Sequence, residues 1–298
     1  MLCQKKGRWS VDEKGRALVF VDGVVTDTKD AKVSVWDRGF LFGDAVFEAL
    51  RFARGKPILW KEHYERLLQS AKGIRLELGF DEGWLLERTL SLIEQSGLDE
   101  GTIYMQITRG NVGFRSDTVL PEHPTVMIAV DGHTCLEERM YDEGVSAITF
   151  EDIRWRYAHL KTTNLLPRTL ARLCARDAGA YEAIFVGKNR EVYEGTATNV
   201  MLVKDGVLKT PSLSERLLSG ATRGVLLKIA REIVDGVYEG TCTVDDLLSA
   251  DEVMLCGTTT EVIGVVRLDG IKIGDGRPGK VTKMLHSLYR QKVLQASD

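Results

Sequence analysis

A lysine just before a predicted helix is the first residue whose type and position could do chemistry. Lys161 precedes Thr-Thr-Asn at 162–164, residues that commonly cap helices, and Pro167 suits a first helical turn. A lone lysine is usually a solvated surface residue. A lysine amine that is held rigidly and has a lowered pKa can instead form a Schiff base with an aldehyde. Both interpretations of Lys161 stay open at this point.

A carboxylate in a predicted strand is the second candidate. Val192 and Glu194 lie two residues apart in the segment Glu191–Asn199, so a strand would place them on one face. If Val192 points to the core, Glu194 is carried inward; otherwise it faces water. A buried carboxylate needs a cationic or hydrogen-bonding partner, and a protonated pyridine nitrogen is such a partner.

Three further segments carry groups that bind phosphate. Arg66 lies on a predicted helix, just off its apolar stripe. Gly-Ala-Thr-Arg at 220–223 opens another predicted helix, and a helix N-terminus binds phosphate through its free backbone N–H groups. Gly-Thr-Thr-Thr at 257–260 follows a strand and adds hydroxyl groups. Each segment also has an ordinary interpretation as helix surface, cap or loop.

A glycine-rich segment near the C-terminus imitates a nucleotide-binding loop. Residues 274–281 have the required spacing, but Val281 replaces the Ser or Thr that binds magnesium. Pro278 also removes a backbone donor. We therefore expect a turn that leads into the last helix, and no nucleotide site.

The elements that must position these residues are strands with irregularly interspersed helices, which favours an α+β fold over a regular βαβ wind. A polar stretch at 131–144 predicts two domains, 1–136 and 137–298. In the first half we predict strands at 17–25 (a hairpin), 45–52, 58–60, 103–108 and 125–130, and helices at 61–76 and 82–96. In the second half we predict strands at 145–150, 183–187, 190–194, 198–203, 207–209, 252–256 and 262–268, and helices at 164–178, 221–234 and 279–294.

Composition excludes several classes of protein. The 298 residues are 44% hydrophobic, enough for about two domains, and the net charge of -3 gives no attraction to nucleic acid or an anionic membrane. Five widely spaced cysteines lack the pattern of a zinc site or a disulfide framework, so we expect reduced thiols and no metal. No apolar run suits a signal peptide or a membrane span, so we expect a cytoplasmic protein.

In chain order, these segments resemble the fold-type IV pyridoxal-phosphate enzymes, over about residues 18 to 290. That family includes D-amino acid aminotransferases, branched-chain aminotransferases, R-selective amine transaminases and aminodeoxychorismate lyases. The matching segments are Asp37–Glu48, Glu62–Leu67, Ile103–Gly110, the Lys161 segment, Tyr193–Gly195, the turns at Gly220 and Gly257, and Asp275–Gly279. The resemblance implies a small α/β N-terminal domain and a larger pseudo-barrel C-terminal domain that binds pyridoxal 5′-phosphate.

The resemblance also implies a role for each candidate. Lys161 would bond to the cofactor aldehyde and move a proton between the substrate Cα and the cofactor C4′. Glu194 would pair with the pyridinium nitrogen and keep it protonated, and Arg154 would support the phenolate side. Arg66 would clamp the phosphate, together with donors at Ala221, Thr222, Thr258 and Thr259.

The substrate class follows from subgroup features. Ile103–Gly110 and Glu151–Trp155 look like the D-amino acid subgroup, and Gln106 stands where branched-chain enzymes usually have arginine. We therefore expect an enzyme that moves an amino group between a D-amino acid and a 2-oxo acid such as 2-oxoglutarate or pyruvate. The reaction would be ping-pong, through a pyridoxamine form.

Two departures affect the expected trap for the substrate carboxylate. Phe47 stands where the subgroup has tyrosine, and no histidine follows Arg115 in the loop at 111–117; Ala45 also replaces a usual glycine. An altered trap would use Phe47, Tyr104 and Arg115, since an arginine can bind a carboxylate bidentately.

Several alternatives remain at this point. They are transamination of branched-chain L-amino acids, aminodeoxychorismate lyase or R-selective amine transaminase activity, an eliminating lyase, and a cofactor-binding protein with little catalysis. The resemblance further implies a homodimer with each active site at the domain interface, roofed by a loop from the partner.

Overall fold

A computed structural model describes residues 16–132 and 136–294 of the chain. Among the predicted reduced thiols, Cys174, Cys242 and Cys256 are free, whereas Cys3 and Cys135 lie outside the described residues. Among the helices of the described ranges, none combines the length and the hydrophobicity that a membrane span requires. Those ranges also contain no group of three or more His, Cys, Asp or Glu that could hold a metal ion.

Two compact units make up the chain. The first comprises Met1–Trp60 and Arg75–Thr134, and the second comprises Lys61–Ile74 and Cys135–Asp298. No pattern in the sequence indicates that residues 61–74 group with the C-terminal half. The predicted division between residues 136 and 137 stays a prediction.

An antiparallel sheet, with strand order β2-β1-β6-β5-β3-β4 in the described chain, forms the first unit. Its strands are β1 (Leu18–Val21), β2 (Val24–Asp27), β3 (Ala45–Ala53), β4 (Lys56–Pro57), β5 (Glu100–Thr108) and β6 (Thr125–Asp131). Its helices are α1 (Arg38–Phe42) and α3 (Glu82–Ser96). Between them in sequence lies α2 (Trp60–Gly73).

Alternation along β5 separates a core face from a half-buried face of this sheet. Ile103, Met105 and Ile107 are buried, while Tyr104 and Gln106 point to the other face and stay partly exposed. The two polar side chains therefore stand on the side of the strand that does not build the core.

Helix α3 confirms the helix predicted at 82–96, and both of its ends are capped. The Asp81 side chain accepts a hydrogen bond from the Trp84 backbone N–H at 2.8 Å, and Gly97 ends the helix in a left-handed conformation with φ 69°. The predicted strand at 58–60 is wrong, because Leu59 adopts φ 54° and Trp60 already begins α2. The short helices α1 and α4, the latter in the polar stretch at 131–144, were not predicted.

The second unit contains a closed sheet. Within the described chain the strand order is β12-β11-β10-β13-β14-β7-β8-β9, and β9 also pairs with β10, so six strands close into a ring that is typical of a barrel. The strands are β7 (Val145–Glu151), β8 (Glu182–Val186), β9 (Val192–Gly195), β10 (Asn199–Lys204), β11 (Val207–Pro211), β12 (Gly236–Gly240), β13 (Glu252–Gly257), β14 (Glu261–Leu268) and β15 (Ile271–Lys272). The helices are α4 (Glu138–Glu143), α5 (Leu166–Asp177), α6 (Ala221–Ala230), α7 (Val244–Ser249) and α8 (Lys280–Tyr289), followed by a π-helical turn at Arg290–Leu294.

Both faces of the paired strands β10 and β13 are apolar, which makes their sequences nearly continuous hydrophobic runs. Val200 and Leu255 belong to one hydrophobic cluster. Their neighbours Met201 and Met254 belong to a second cluster, which α6 and α8 help to build. Mixed strands and helices in two units confirm the predicted α+β fold.

The glycine-rich segment at 274–281 leads into the start of α8. The Glu252 carboxylate accepts hydrogen bonds from the backbone N–H groups of Val281 and Thr282 at 2.9 and 2.8 Å. A carboxylate of the protein itself thus occupies this helix N-terminus, in agreement with the predicted turn.

Asp44 connects three segments of the first unit. Its carboxylate accepts hydrogen bonds from Arg38 Nε at 2.9 Å and from Arg109 Nε and Nη2 at 2.8 and 2.9 Å. Arg38 in turn donates to the Ser116 carbonyl at 2.7 Å, which fastens the loop that carries Arg115. Burial alone would raise the pKa of Asp44, but hydrogen bonds and charges from Arg109 and Arg38 outweigh burial and lower it.

Asp44→Asn is expected to reduce the free energy of unfolding by roughly 2–3 kcal/mol at neutral pH, because an amide cannot balance two guanidinium groups. A folded-state pKa below the unfolded value of about 3.9 means that this stabilisation is present above that value and lost as the pH falls through the folded pKa. The difference in free energy of unfolding between wild type and variant, measured with denaturant, should therefore become smaller in acid. Asp27→Asn, which removes an exposed pair 3.7 Å from Arg16, serves as the control and should change little. A difference that stays constant with pH would contradict this account of Asp44.

Candidate active site

Glu194 lies where the closed sheet of the second unit is joined, since its register partner across the β9–β10 pair is Asn199. The side chain is carried inward beside Val192, as the strand periodicity predicts, and only 3% of Glu194 is exposed. Oε1 accepts hydrogen bonds from Arg154 and, at 3.4 Å, from Arg168. Oε2 accepts from the Leu218 backbone N–H at 3.1 Å and from the Asn199 amide at 3.5 Å. The buried carboxylate thus has cationic and hydrogen-bonding partners on both of its oxygens.

Arg154 connects Glu194 to a second buried carboxylate. Its Nε donates to Asp152 Oδ1 at 2.8 Å, and Nη2 donates to the Arg216 carbonyl at 2.8 Å. Burial alone would lower the pKa of Arg154, but the charges and hydrogen bonds of Glu194 and Asp152 raise it. The guanidinium, expected on the phenolate side of a cofactor, therefore lies against the carboxylate expected at the ring nitrogen.

Lys161 is held through its backbone. Its N–H donates to Ser70 Oγ at 3.0 Å, and the preceding Leu160 is buried against Gly73 near the end of α2. A Cβ at position 73 would collide with the Leu160 side chain, so glycine allows this close approach. Lys161 is half-buried, in contrast to a fully solvated surface lysine.

The predicted caps of the next helix are wrong. Helix α5 begins at Leu166, its N-cap is Leu165, and the Thr162 hydroxyl instead accepts a hydrogen bond from the Asn164 amide at 3.3 Å. Pro167 does occupy the first turn, as predicted. Turn hydrogen bonds between Lys161 and α5 delay the start of the helix.

Arg66 is buried one turn before Ser70 on α2. Its Nη1 donates to the Ser219 carbonyl at 2.8 Å, and Nη2 lies 3.3 Å from His63 Nδ1. Ser219 follows Leu218, whose N–H reaches Glu194. A series of contacts therefore connects Arg66 to the backbone of Lys161 and to Glu194.

The N-terminus of α6 provides an open cradle beside this series. Gly220 is the N-cap, and no side chain in the described chain caps the helix at this position. A Cβ on Gly220 would collide with Asn199 Oδ1, so the backbone approaches closely here. The Thr222 hydroxyl is buried and has no hydrogen-bond partner among the described residues. Such an orphaned polar atom is costly unless a ligand satisfies it.

The predicted turn at 257–260, which carries three threonine hydroxyls, packs against the loop that follows Glu194. Gly257 lies against the Ala197 carbonyl, in the loop that follows Glu194. Thr258 is half-buried and Thr259 is exposed, whereas the buried threonine of this turn is Thr260, whose hydroxyl lies 3.1 Å from Tyr181 Oη. The turn is therefore adjacent to the Glu194 loop.

The predicted substrate residues belong to the first unit. Phe47 and Tyr104 are brought together on adjacent strands with ring centroids 5.6 Å apart, and Tyr104 Oη donates to Gln106 at 2.8 Å. Burial raises the pKa of Tyr104 to about 12, so its hydroxyl stays neutral. Arg115 is exposed, with its guanidinium 5.5 Å from the Phe42 ring.

Comparison with known proteins decides the family. The model for amino-transferase class IV matches residues 45–268. This chain belongs to the class IV aminotransferases. It is 37% identical to the D-alanine aminotransferase of Staphylococcus aureus strain N315 over 276 residues, which cover 92% of this chain and 96% of that protein.

Comparison with solved structures agrees with this family assignment. The branched-chain amino acid aminotransferase of Escherichia coli matches with a TM-score of 0.85 and 29% identity over 93% of this chain and 94% of that one. The 4-amino-4-deoxychorismate lyase of Pseudomonas aeruginosa matches with a TM-score of 0.80 and 29% identity over 92% of this chain and 98% of that one. Class IV aminotransferases use pyridoxal 5′-phosphate, which confirms the predicted cofactor.

The residues present fit that cofactor. A dianionic phosphate suits Arg66, the α6 N-terminus and the unsatisfied Thr222 hydroxyl. A pyridinium suits the buried Glu194, and an aldehyde suits Lys161.

Sequence reasoning missed several side chains of this aminotransferase that support the candidate site. Glu182 is fully buried and accepts hydrogen bonds from the Thr196 and Thr198 hydroxyls, which fixes the loop after Glu194. Ser70 holds the Lys161 backbone, and Arg168 reaches Glu194. The repeated threonines at 196 and 198 were a usable signal for the loop, but nothing in the sequence pointed to Arg168 or Ser70.

Thr222→Val is expected to leave the cofactor-free protein as stable as wild type, because valine has nearly the same shape and the lost hydroxyl makes no hydrogen bond in the described structure. The same change should weaken the binding of pyridoxal phosphate by about fivefold to thirtyfold, since it removes a hydrogen bond to an anion. Thermal unfolding and equilibrium dialysis measure the two effects.

Thr282→Val is the matched control. Thr282 also lies in a first helical turn, but its hydroxyl donates to Glu252 at 2.7 Å. This variant should lose roughly 1–2 kcal/mol of stability and keep its cofactor affinity. Unchanged cofactor affinity in Thr222→Val would rule out the cradle as the phosphate site.

Proposed function

We propose that this protein is a D-amino acid transaminase that moves the amino group of a D-amino acid to a 2-oxo acid such as pyruvate or 2-oxoglutarate. The connected centre of Lys161, Arg66 and Glu194 carries the proposal, because it combines an amine, a phosphate clamp and a ring-nitrogen partner. Similarity to a D-alanine aminotransferase over almost the whole chain supports the substrate class.

Each residue of the centre has a proposed role. Bound pyridoxal phosphate supplies an electron sink that stabilises negative charge at the substrate Cα. The Lys161 amine holds the cofactor aldehyde and moves the Cα proton, and Glu194 holds the ring N–H. Arg66 fixes the phosphate together with Ala221, Thr222, Thr258 and Thr259, so that the ring keeps its orientation through the two half-reactions.

Arg115 is the proposed ligand of the substrate carboxylate. Arg115 is exposed, so its guanidinium can donate two hydrogen bonds to a carboxylate. Its loop is held in place because Arg38, which pairs with Asp44, also donates to the Ser116 carbonyl. Phe47 and the neutral Tyr104 supply an apolar ring and a hydroxyl on the half-buried face of the first sheet.

Branched-chain L-amino acid transamination is the second candidate, favoured by the TM-score of 0.85 to the Escherichia coli enzyme. Gln106 counts against the branched-chain activity, since its side chain accepts a hydrogen bond from the Tyr104 hydroxyl and provides no positive charge for a substrate carboxylate. Lyase activity is a third candidate, supported by the Pseudomonas aeruginosa match.

A panel of both enantiomers separates these functions. Single-turnover mixing of the cofactor-loaded protein with D-alanine, D-glutamate or L-leucine should convert the absorbance band of the aldehyde form to that of the amine form with the D-amino acids alone. Conversion by L-leucine alone would select the branched-chain enzyme, and pyruvate release from aminodeoxychorismate would select the lyase. No spectral change with any amino acid would remove the transaminase proposal.

A homodimer is also proposed. Leu166, Leu170 and Leu173 form an apolar stripe on α5 with 69%, 43% and 38% of their surface exposed, a pattern typical of a helix that packs against a partner. Light scattering should give twice the mass of the chain, and Leu170→Glu should shift the protein toward monomer. A monomeric wild type at micromolar concentration would contradict the proposal.

A further inference from the structure

Arg168 places a second guanidinium on the carboxylate that is expected to hold the cofactor ring. It lies in the first turn of α5, with only 17% of its side chain exposed. Its Nη2 lies 3.4 Å from Glu194 Oε1, the same oxygen that accepts a hydrogen bond from Arg154. One oxygen of the carboxylate is thus shared between two cations.

The charges around Arg168 show what this sharing does. Burial lowers the pKa of Arg168, Glu194 and Glu182 attract its charge, and Arg154 and Arg66 repel it. A guanidinium nevertheless keeps its proton at any working pH. The buried carboxylates of Glu194 and Asp152 are already paired with Arg154 and Arg168, and Arg216 lies 3.8 Å from Asp152, so a protonated ring nitrogen would add a further positive charge.

We propose that Arg168 is a positioning residue that weakens the hold of Glu194 on the cofactor ring nitrogen by taking a share of the carboxylate charge. The inference rests on the proposed role of Glu194 and deepens it. A weaker partner carboxylate makes protonation of the ring nitrogen less favourable. Arg168 thereby limits the strength of the electron sink rather than contributing a reacting group.

A merely structural role must be distinguished from this one. If Arg168 only neutralised a buried carboxylate, its removal would change the free energy of unfolding and would affect every cofactor analogue equally. The proposal requires an effect that depends on the ring nitrogen. The deaza analogue of pyridoxal phosphate, which has C–H in place of that nitrogen, separates the two because phosphate, phenol and aldehyde are unchanged.

The test measures the ratio of dissociation constants, deaza analogue over pyridoxal phosphate, for wild type, Arg168→Gln and Arg168→Lys. In the wild type the ratio should exceed one. In Arg168→Gln it should rise about fivefold, because Glu194 then loses one of its two cationic partners and can interact more strongly with the nitrogen. Arg168→Lys keeps the cation and should keep the wild-type ratio. Arg168→Met, which preserves the packing of the stem, replaces the glutamine variant if that variant does not fold.

Arg172→Gln is the matched control on the same helix. Arg172 lies one turn further along α5, pairs with Glu182 at 3.1 Å, and has 49% of its side chain exposed. The ratio of dissociation constants for Arg172→Gln should stay within about twofold of the wild-type ratio.

Two results would overturn the inference, and they differ in what else they remove. A wild-type ratio above one that does not change in Arg168→Gln removes the inference alone. A wild-type ratio of one shows that Glu194 does not hold the ring nitrogen, and it removes that part of the proposed function as well.

Discussion

Burial of the Glu194 carboxylate is the constraint on which the rest of the site depends. A charge at this depth must be paired, or it would be protonated or destabilise the fold. The two strands that close the sheet of the second unit meet at Glu194 and Asn199, so the carboxylate is fixed by backbone that cannot move without opening the sheet. Arg154, Arg168 and the Leu218 N–H then converge on it.

The same pairing organises the surrounding segments. Leu218 and Ser219 are held between Glu194 and Arg66, and this leads directly into the N-terminus of α6. Since α2 carries both Arg66 and Ser70, one helix sets the phosphate clamp and the backbone of Lys161. A helix therefore sets the phosphate clamp and holds the backbone of Lys161, and a strand sets the carboxylate, whereas Lys161 itself lies between β7 and α5.

Local patterns could be predicted, and long-range contacts could not. Strand periodicity predicted that Glu194 points inward with Val192, and the apolar pattern at 82–96 predicted α3, because these are properties of neighbouring residues. The caps proposed after Lys161 failed because the helix begins only at Leu166, after its N-cap Leu165. Arg66 and Ser219 lie 153 positions apart, and Lys161 and Ser70 lie 91 apart, so no spacing rule connects them. Family resemblance supplied the residue types, but Arg168 matched no motif.

The central claim is that the amine at position 161 is the one that binds the aldehyde cofactor. Borohydride reduction of the protein saturated with pyridoxal phosphate, followed by digestion and mass spectrometry, tests this claim directly. The account predicts a phosphopyridoxyl adduct on the peptide that contains Lys161, and no adduct at this position in a Lys161→Ala variant. An unmodified Lys161 peptide, with the adduct absent or located on another lysine, would contradict it.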